Sequence, residues 1–125
     1  MSEVTEQFIK NAIRSYKQTC LQQHLLQSRL SNHEIPSTEI QNNALSQMIM
    51  RNQTVEGWLS ILSEDEAFVI RKHLMEELDW PRIEAEHRDK WGEFGKTEST
   101  LKRYQKRALE KIICFMQNQQ HNDDR

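Results

Sequence analysis

The stretch TESTLKRYQKRALEKI, residues 97–112, combines two patterns in one segment. When its residues are placed at about 100° per residue, as in an α-helix, the apolar side chains gather on one side and the basic ones spread over the other. A helix of this kind packs on a protein core and keeps its charges in solvent. The apolar side is formed by Leu101, Tyr104, Ala108, Ile112 and Phe115, and the polar side by Ser99, Lys102, Arg103, Lys106 and Arg107.

Charge is distributed unevenly around this segment. The chain of 125 residues carries a net charge of −2 at pH 7. Residues 96–112 hold six bases and two acids, whereas residues 63–95 hold ten acids and five bases. A basic stretch on an otherwise acidic protein creates a local positive potential, which is typical of surfaces that bind phosphate groups. The acidic remainder would keep such a protein from coating nucleic acid indiscriminately.

Two capped helices are predicted upstream of the quoted segment. Ser63 begins the first, because Glu66 stands three residues later and completes a capping box. We expect this helix to end near Leu78. Asp79 caps the second helix, in which Pro81 is tolerated because it falls in the first turn. The buried side of the second helix is predicted at Ile83, Ala85 and Trp91.

The final helix follows a glycine-bearing turn. Gly92 and Gly95 mark the turn, and Thr97 is the expected cap of a helix over 98–116. The first turn of that helix should offer free backbone N–H groups and small hydroxyls, which suit phosphate oxygens or base edges. Beyond it, residues 117–125 have no apolar side chains that could be buried in a core, so we expect a disordered tail.

Five blocks in this order carry a resemblance to known proteins. They are Leu62-Ser63-x-x-Glu66, Val69-Ile70, Trp80-x-x-Ile83, Thr97-x-Ser99-Thr100-Leu101-Lys102-Arg103 and Ala108-Leu109-Glu110-Lys111-Ile112. Together they span residues 62–112, less than half of the chain, and resemble region four of bacterial sigma factors, which reads promoters. They are also similar to its small phage relatives, the ArpU-like and RinA-like regulators of late genes.

The resemblance implies a helix-turn-helix at 63–116 that reads double-stranded DNA. It further implies a sequence-specific transcriptional regulator, a late-gene activator of a phage or prophage that acts at a promoter with host RNA polymerase. From its position, Arg103 is expected to reach guanine, while the neighbouring cations hold the phosphate backbone. The expected DNA-binding residues are Lys96, Thr97, Ser99, Thr100, Lys102, Arg103, Lys106 and Arg107.

Two departures from the family pattern concern the second helix. Glu84 stands where the family has a small alanine, with Ala85 one place later. The segment 84–96 is also longer than the usual tight turn between the two reader helices. Either a longer second helix or an extended loop with an aromatic plug would fill this excess.

The N-terminal region, residues 1–62, is predicted to be helical as well. Apolar residues from Val4 to Leu25 recur at steps of three and four, which predicts one long helix over 3–29. A connection follows at 31–38, and then either one helix or two short ones over 38–62. The apolar stripe of the long helix could fold back on the reader or pair two subunits, and we favour a homodimer through this helix. The predicted fold is therefore an all-α helical bundle.

Several other classes of protein are disfavoured by the residues present. Cys20 and Cys114 stand far apart and are expected to be buried free thiols, and no histidine has a convincing metal-ligand spacing. We expect no metal, no cofactor and no enzymatic activity, and we assign the three tryptophans to core packing. The chain shows no signal peptide and no membrane span, so a soluble, cytoplasmic protein is predicted. The alternatives left open are a protein-interaction module that binds RNA polymerase or a regulatory partner, and a small terminase-like packaging protein.

Overall fold

A computed structural model describes residues 5–123, with side chains as far as residue 119. Within that range the chain is built from α-helices and contains no strand, which confirms the predicted all-α class. A π-helical turn, Arg71–Met75, continues the third helix, and a 3₁₀ turn, Gly92–Phe94, follows the fourth. The helices are α1 (Glu6–Ser31), α2 (Glu39–Ser60), α3 (Glu64–Ile70), α4 (Trp80–Trp91) and α5 (Glu98–Asp123).

The first two helices form an antiparallel hairpin. Each begins with a threonine cap, because the Thr5 hydroxyl accepts from the N–H of Phe8 and the Thr38 hydroxyl accepts from that of Gln41. The long helix predicted over 3–29 is present as α1, whereas Val4 lies outside the described residues. Residues 39–60 form one helix rather than two. The pair is tied by a hydrogen bond of 2.6 Å from the Tyr16 hydroxyl to Glu56.

Two clusters of buried side chains hold the helices together. The larger one joins α1 and α2 to α3, the π-helical turn and α5, with Ile9, Ile13 and Ile112 fully buried. The smaller one lies between α3, α4 and the first half of α5 and centres on Val69, Ile83 and Leu101. The N-terminal half of α1 therefore packs against the C-terminal helices, and α5 contributes buried side chains to both clusters.

The starts of α3 and α4 follow the predicted capping chemistry. Ser63 and Glu66 form a complete capping box, and the Asp79 carboxylate accepts from the backbone N–H of Arg82. The first of these helices ends earlier than predicted, at Met75 instead of near Leu78. Glu77 adopts a left-handed backbone conformation (φ 57°), and the N–H of Leu78 then bonds the Lys72 carbonyl. This arrangement terminates the helix.

Three sequence predictions about individual segments are wrong. Ala85 is exposed on α4, because the helix turns its Ile83 and His87 side toward the core. Cys114 is an exposed thiol, since it lies on the solvent side of α5, and Cys20 is half-buried. The segment 117–123 continues α5, because each added residue of an established helix gains a backbone hydrogen bond without needing a core. Residues 124 and 125 of the expected tail lie outside the described residues.

Within residues 5–123, none of the helices combines the length and the apolar character that crossing a bilayer requires.

The left-handed conformation of Glu77 generates a stability prediction. A side chain bearing a Cβ in this conformation costs about 1 kcal/mol, and glycine avoids the cost. We therefore expect Glu77→Gly to raise the free energy of unfolding by about 0.5–1 kcal/mol, measured by urea denaturation. Glu77→Ala removes the same carboxylate but keeps the Cβ, so it serves as the control. An equal gain in both variants would show that charge, not backbone conformation, is responsible.

Candidate nucleic-acid interface

The side of α5 that faces the core is fully sequestered. Leu101, Ala108 and Ile112 have no exposed surface. Gln105 lies between them, and its side-chain oxygen accepts a hydrogen bond of 2.6 Å from His73 Nδ1 on the π-helical turn. Because this polar contact is directional, it fixes the rotation of α5 about its axis as well as its position.

A buried carboxylate anchors the middle of the same helix. Glu66 is 2% exposed, and its Oε1 accepts from Lys111 Nζ at 2.7 Å and from the backbone N–H of Ser63 at 3.0 Å. Burial alone raises the pKa of the Glu66 carboxyl, but the bonds from Lys111 and Ser63 outweigh that effect, and the pKa is lowered. Glu66 therefore joins the start of α3 to α5 as a charged acceptor.

His87 holds the beginning of α5 in place. Its ring is completely buried, and Nδ1 accepts from the backbone N–H of Lys96 at 3.1 Å. The ring proton therefore lies on Nε2, which donates to Asp65 Oδ1 at 3.0 Å. Sequence reasoning considered His87 only as a metal ligand and missed this role. Its spacing gives a usable signal, because Ile83, His87 and Trp91 follow one another at steps of four along the inner side of α4.

The segment 84–96 combines a longer helix with a short turn. Helix α4 extends to Trp91, whose ring stacks on His87 with centroids 4.1 Å apart. Trp91 thus provides the aromatic plug, whereas Phe94 is 66% exposed. Gly95 packs so closely on α4 that a Cβ there would lie 2.8 Å from the Arg88 Cα. The turn therefore requires glycine at this position for steric reasons.

The carboxylate of Glu84, a residue of α4, binds the first turn of α5. Its Oε2 accepts from the backbone N–H of Glu98 at 3.0 Å, and its Oε1 lies 3.0 Å from the Arg88 guanidinium. The expectation that the first-turn N–H groups are free is therefore wrong for Glu98. The departure from the family pattern at Glu84 is the reason, because this longer acidic side chain reaches the helix end that an alanine would leave open.

The predicted contact residues lie together on the outside of this helix start. Thr100 is half-buried, and the others are exposed. Lys102 is partly neutralised by Glu98 at 3.2 Å, and Arg103 donates to the Thr100 hydroxyl at 3.2 Å. Among residues 5–119, four of the predicted cations have no acidic group within ion-pair distance. These four, which we call the basic face, are Lys96, Arg103, Lys106 and Arg107.

This arrangement can present cations to a polyanion without rearranging the fold. Three of the four residues of the basic face, Arg103, Lys106 and Arg107, belong to a helix whose opposite side is buried, so these side chains move only through their own rotamers. The hydroxyls of Thr97 and Ser99 lie beside it, 3.3 Å from each other, and can donate to phosphate oxygens or accept from base amines.

Comparisons with protein-family models, with curated proteins and with solved structures found no match to this chain. The resemblance to sigma region four and to the ArpU-like and RinA-like regulators therefore stays a hypothesis that rests on the quoted residues.

The imidazole of His73 makes the stability of this region depend on pH. Burial lowers the pKa of His73 below its ordinary value of 6.5, with help from the nearby cations Arg14, Lys10 and Lys102, and against the hydrogen bond to Gln105. The unfolded chain then binds a proton at a higher pH than the folded chain does. The resulting stabilisation is complete above 6.5 and is lost as the pH falls toward the folded pKa.

We therefore expect the free energy of unfolding to decrease between about pH 7.5 and about pH 5.5, and to decrease less in His73→Gln. Chemical denaturation at both pH values measures this difference. The exposed His24 provides the matched control, because His24→Gln removes a histidine without touching the contact with α5. Equal pH dependence in wild type and His73→Gln would contradict the assignment.

Proposed function

We propose that the chain binds double-stranded DNA by placing α5 in the major groove, and that it acts as a binding protein rather than an enzyme. The observation that supports this proposal is the basic face itself, since its cations are solvent-exposed while the opposite side of the same helix is buried. A helix of about 10–12 Å diameter matches a major groove that is about 12 Å wide. Helices α3 and α4 would then support α5 from behind, as in a helix-turn-helix.

Two kinds of contact are proposed for the two ends of the basic face. Arg103 lies in the second turn of α5, and a guanidinium is the group that commonly makes a bidentate contact to guanine. Lys106 and Arg107 follow one turn later and suit phosphates, which attract cations without regard to sequence. Binding should thus contain a salt-sensitive part and a base-reading part.

The biological role follows from the resemblance and remains part of the proposal. We propose a transcriptional regulator, in particular a late-gene activator of a phage or prophage that works at a promoter with host RNA polymerase. A pull-down with polymerase, with and without promoter DNA, would separate this role from that of a module that binds protein alone. Ring-sized oligomers in solution would instead favour the small terminase-like alternative.

The division of labour in the basic face can be tested by alanine substitution. A preferred site is first obtained by selection from random duplex DNA, and affinities are then measured by fluorescence anisotropy. Arg103→Ala should reduce the preference for the selected site over random DNA by about 1–3 kcal/mol. Lys106→Ala should weaken binding to both duplexes and lower the slope of log affinity against log salt by about 1.

Matched controls come from exposed cations outside α5. Arg14→Ala and Lys17→Ala each remove the same charge from α1, where no DNA contact is proposed. The proposal fails if the two α5 variants bind DNA no more weakly than these controls do.

Glu84 should limit how closely a phosphate approaches the start of α5. Its side chain is 27% exposed and carries a negative charge at the helix end that would otherwise attract an anion. Repulsion of this kind acts on every duplex equally. It therefore lowers nonspecific affinity without touching the base-reading contacts.

We expect Glu84→Gln to raise affinity for random duplex DNA by about 2–10-fold, since the amide oxygen still accepts from Glu98 while the charge is gone. The same anisotropy titration measures the change. Glu39→Gln, in the first turn of α2, is the control for loss of one acidic charge at a helix start. Unchanged or weaker binding by Glu84→Gln would place the phosphates away from this turn.

A further inference from the structure

The far half of the α1–α2 hairpin has no core of its own. The last buried residue of α1 is Thr19, and the first buried residue of α2 is Asn52. Every residue between them is half-buried or exposed. We call this part, residues 20–51, the distal arm. On the α1 side it extends about 18 Å beyond the buried core, at about 1.5 Å per residue.

The distal arm is nevertheless rich in large apolar side chains. Four of the seven large hydrophobic residues that are exposed in the described part of the chain belong to it. Their exposed fractions are 60% for Leu21, 53% for Leu25, 80% for Ile40 and 66% for Met50. Further apolar side chains of the arm are only half-buried, and these are Leu26, Leu30, Ile35, Ala44, Leu45, Met48 and Ile49.

We propose that the distal arm is a dimerisation surface that packs against the distal arm of a second copy of this chain. Two helices side by side form a single layer, and a single layer cannot bury its apolar residues. Near the base of the hairpin, α3, the π-helical turn and α5 supply the second layer. Beyond Thr19 no residue of the arm is fully buried, and a second hairpin would complete a four-helix bundle.

The net charge of the distal arm favours a second copy of the chain as its binding partner. The arm contains Arg29 and Arg51 against Glu34 and Glu39, so it is neutral. A neutral surface does not repel itself when two copies meet through the same patch, and it offers nothing to attract a strongly charged partner. Its remaining surface is mostly Gln, Asn and Ser, which can form hydrogen bonds at the rim of such a contact.

The size of the arm sets the expected affinity. A face about 18 Å long and two helices, or about 20 Å, wide has a projected area of about 360 Å² per copy, below the roughly 800 Å² per partner of standard interfaces, so the contact is of the weak class. We therefore expect a dimer that forms in the micromolar range. This inference goes beyond the proposed function and does not require DNA binding. It also modifies the sequence prediction, because the contact moves from α1 alone to the distal halves of both α1 and α2.

The test uses the chain of 125 residues in sedimentation equilibrium over about 1–100 µM. Wild type should approach twice the monomer mass of 15.0 kDa as concentration rises. An arm variant in which the exposed apolar residues become glutamine, a good helix former, should remain monomeric throughout. Its substitutions are Leu21→Gln, Leu25→Gln, Ile40→Gln and Met50→Gln.

The matched control replaces the other three exposed hydrophobic residues in the same way, through Phe8→Gln, Ile61→Gln and Phe94→Gln. This control should dimerise like wild type. Circular dichroism checks that each variant keeps its helix content. Should the arm variant unfold, the single variants Ile40→Lys and Met50→Lys take its place, since both positions are mostly exposed.

A wild-type chain that stays monomeric over the whole range would overturn the inference, because the arm would then not bind a second copy of the chain. Dimerisation of the arm variant with wild-type affinity would overturn it too, because the contact would lie elsewhere. Anisotropy with random duplex DNA separates this result from the proposed function. Arm variants keep the basic face, so loss of dimerisation should leave the binding of DNA by each monomer in place.

Discussion

The placement of α5 depends on one buried imidazole. A histidine ring with one acceptor and one donor nitrogen needs two partners of opposite kind when water is excluded. Here the backbone N–H of Lys96 and the carboxylate of Asp65 supply them, and each comes from a different part of the chain. Through this single ring the start of α3, the inner side of α4 and the entry to α5 are held at fixed distances. The basic face lies directly beyond this junction.

The acidity of the middle of the chain is in part structural. Glu66 ties α3 to α5 through Lys111, and Glu84 ties α4 to the first turn of α5. Both carboxylates work where a cation or a helix start compensates for their partial desolvation. The ten acids of residues 63–95 therefore do more than lower the net charge. Three of them, Asp65, Glu66 and Glu84, place α5, and within residues 5–119 none of these three pairs with a cation of the basic face.

Sequence periodicity and capping chemistry predicted much of this fold, because both are local. The capping box at Ser63, the cap at Asp79 and the two-sided character of α5 each depend on residues within a few positions of one another. The contacts of His87 and Glu84 join residues nine and fourteen positions apart across a turn. Nothing local indicates such pairs. From the sequence, His87 was therefore given no role, and Glu84 was noted only as a departure from a family pattern. The end of α5 was missed for a different reason, since a polar helix extension leaves no apolar periodicity to detect.

The basic face and the distal arm lie on different parts of the molecule, and this separation has a geometric consequence. Helix α1 is about 39 Å long; its first half packs against α5, and its second half belongs to the distal arm. In the proposed dimer, association through the arms would therefore leave the basic face of each copy uncovered, and twofold symmetry would present two equal faces. Dimeric helix-turn-helix proteins read half-sites about 34 Å apart, so the proposed dimer would read two half-sites only if its basic faces had about this separation. A contact at the base of the hairpin would compete with α5, because there the apolar side of α1 already packs against that helix.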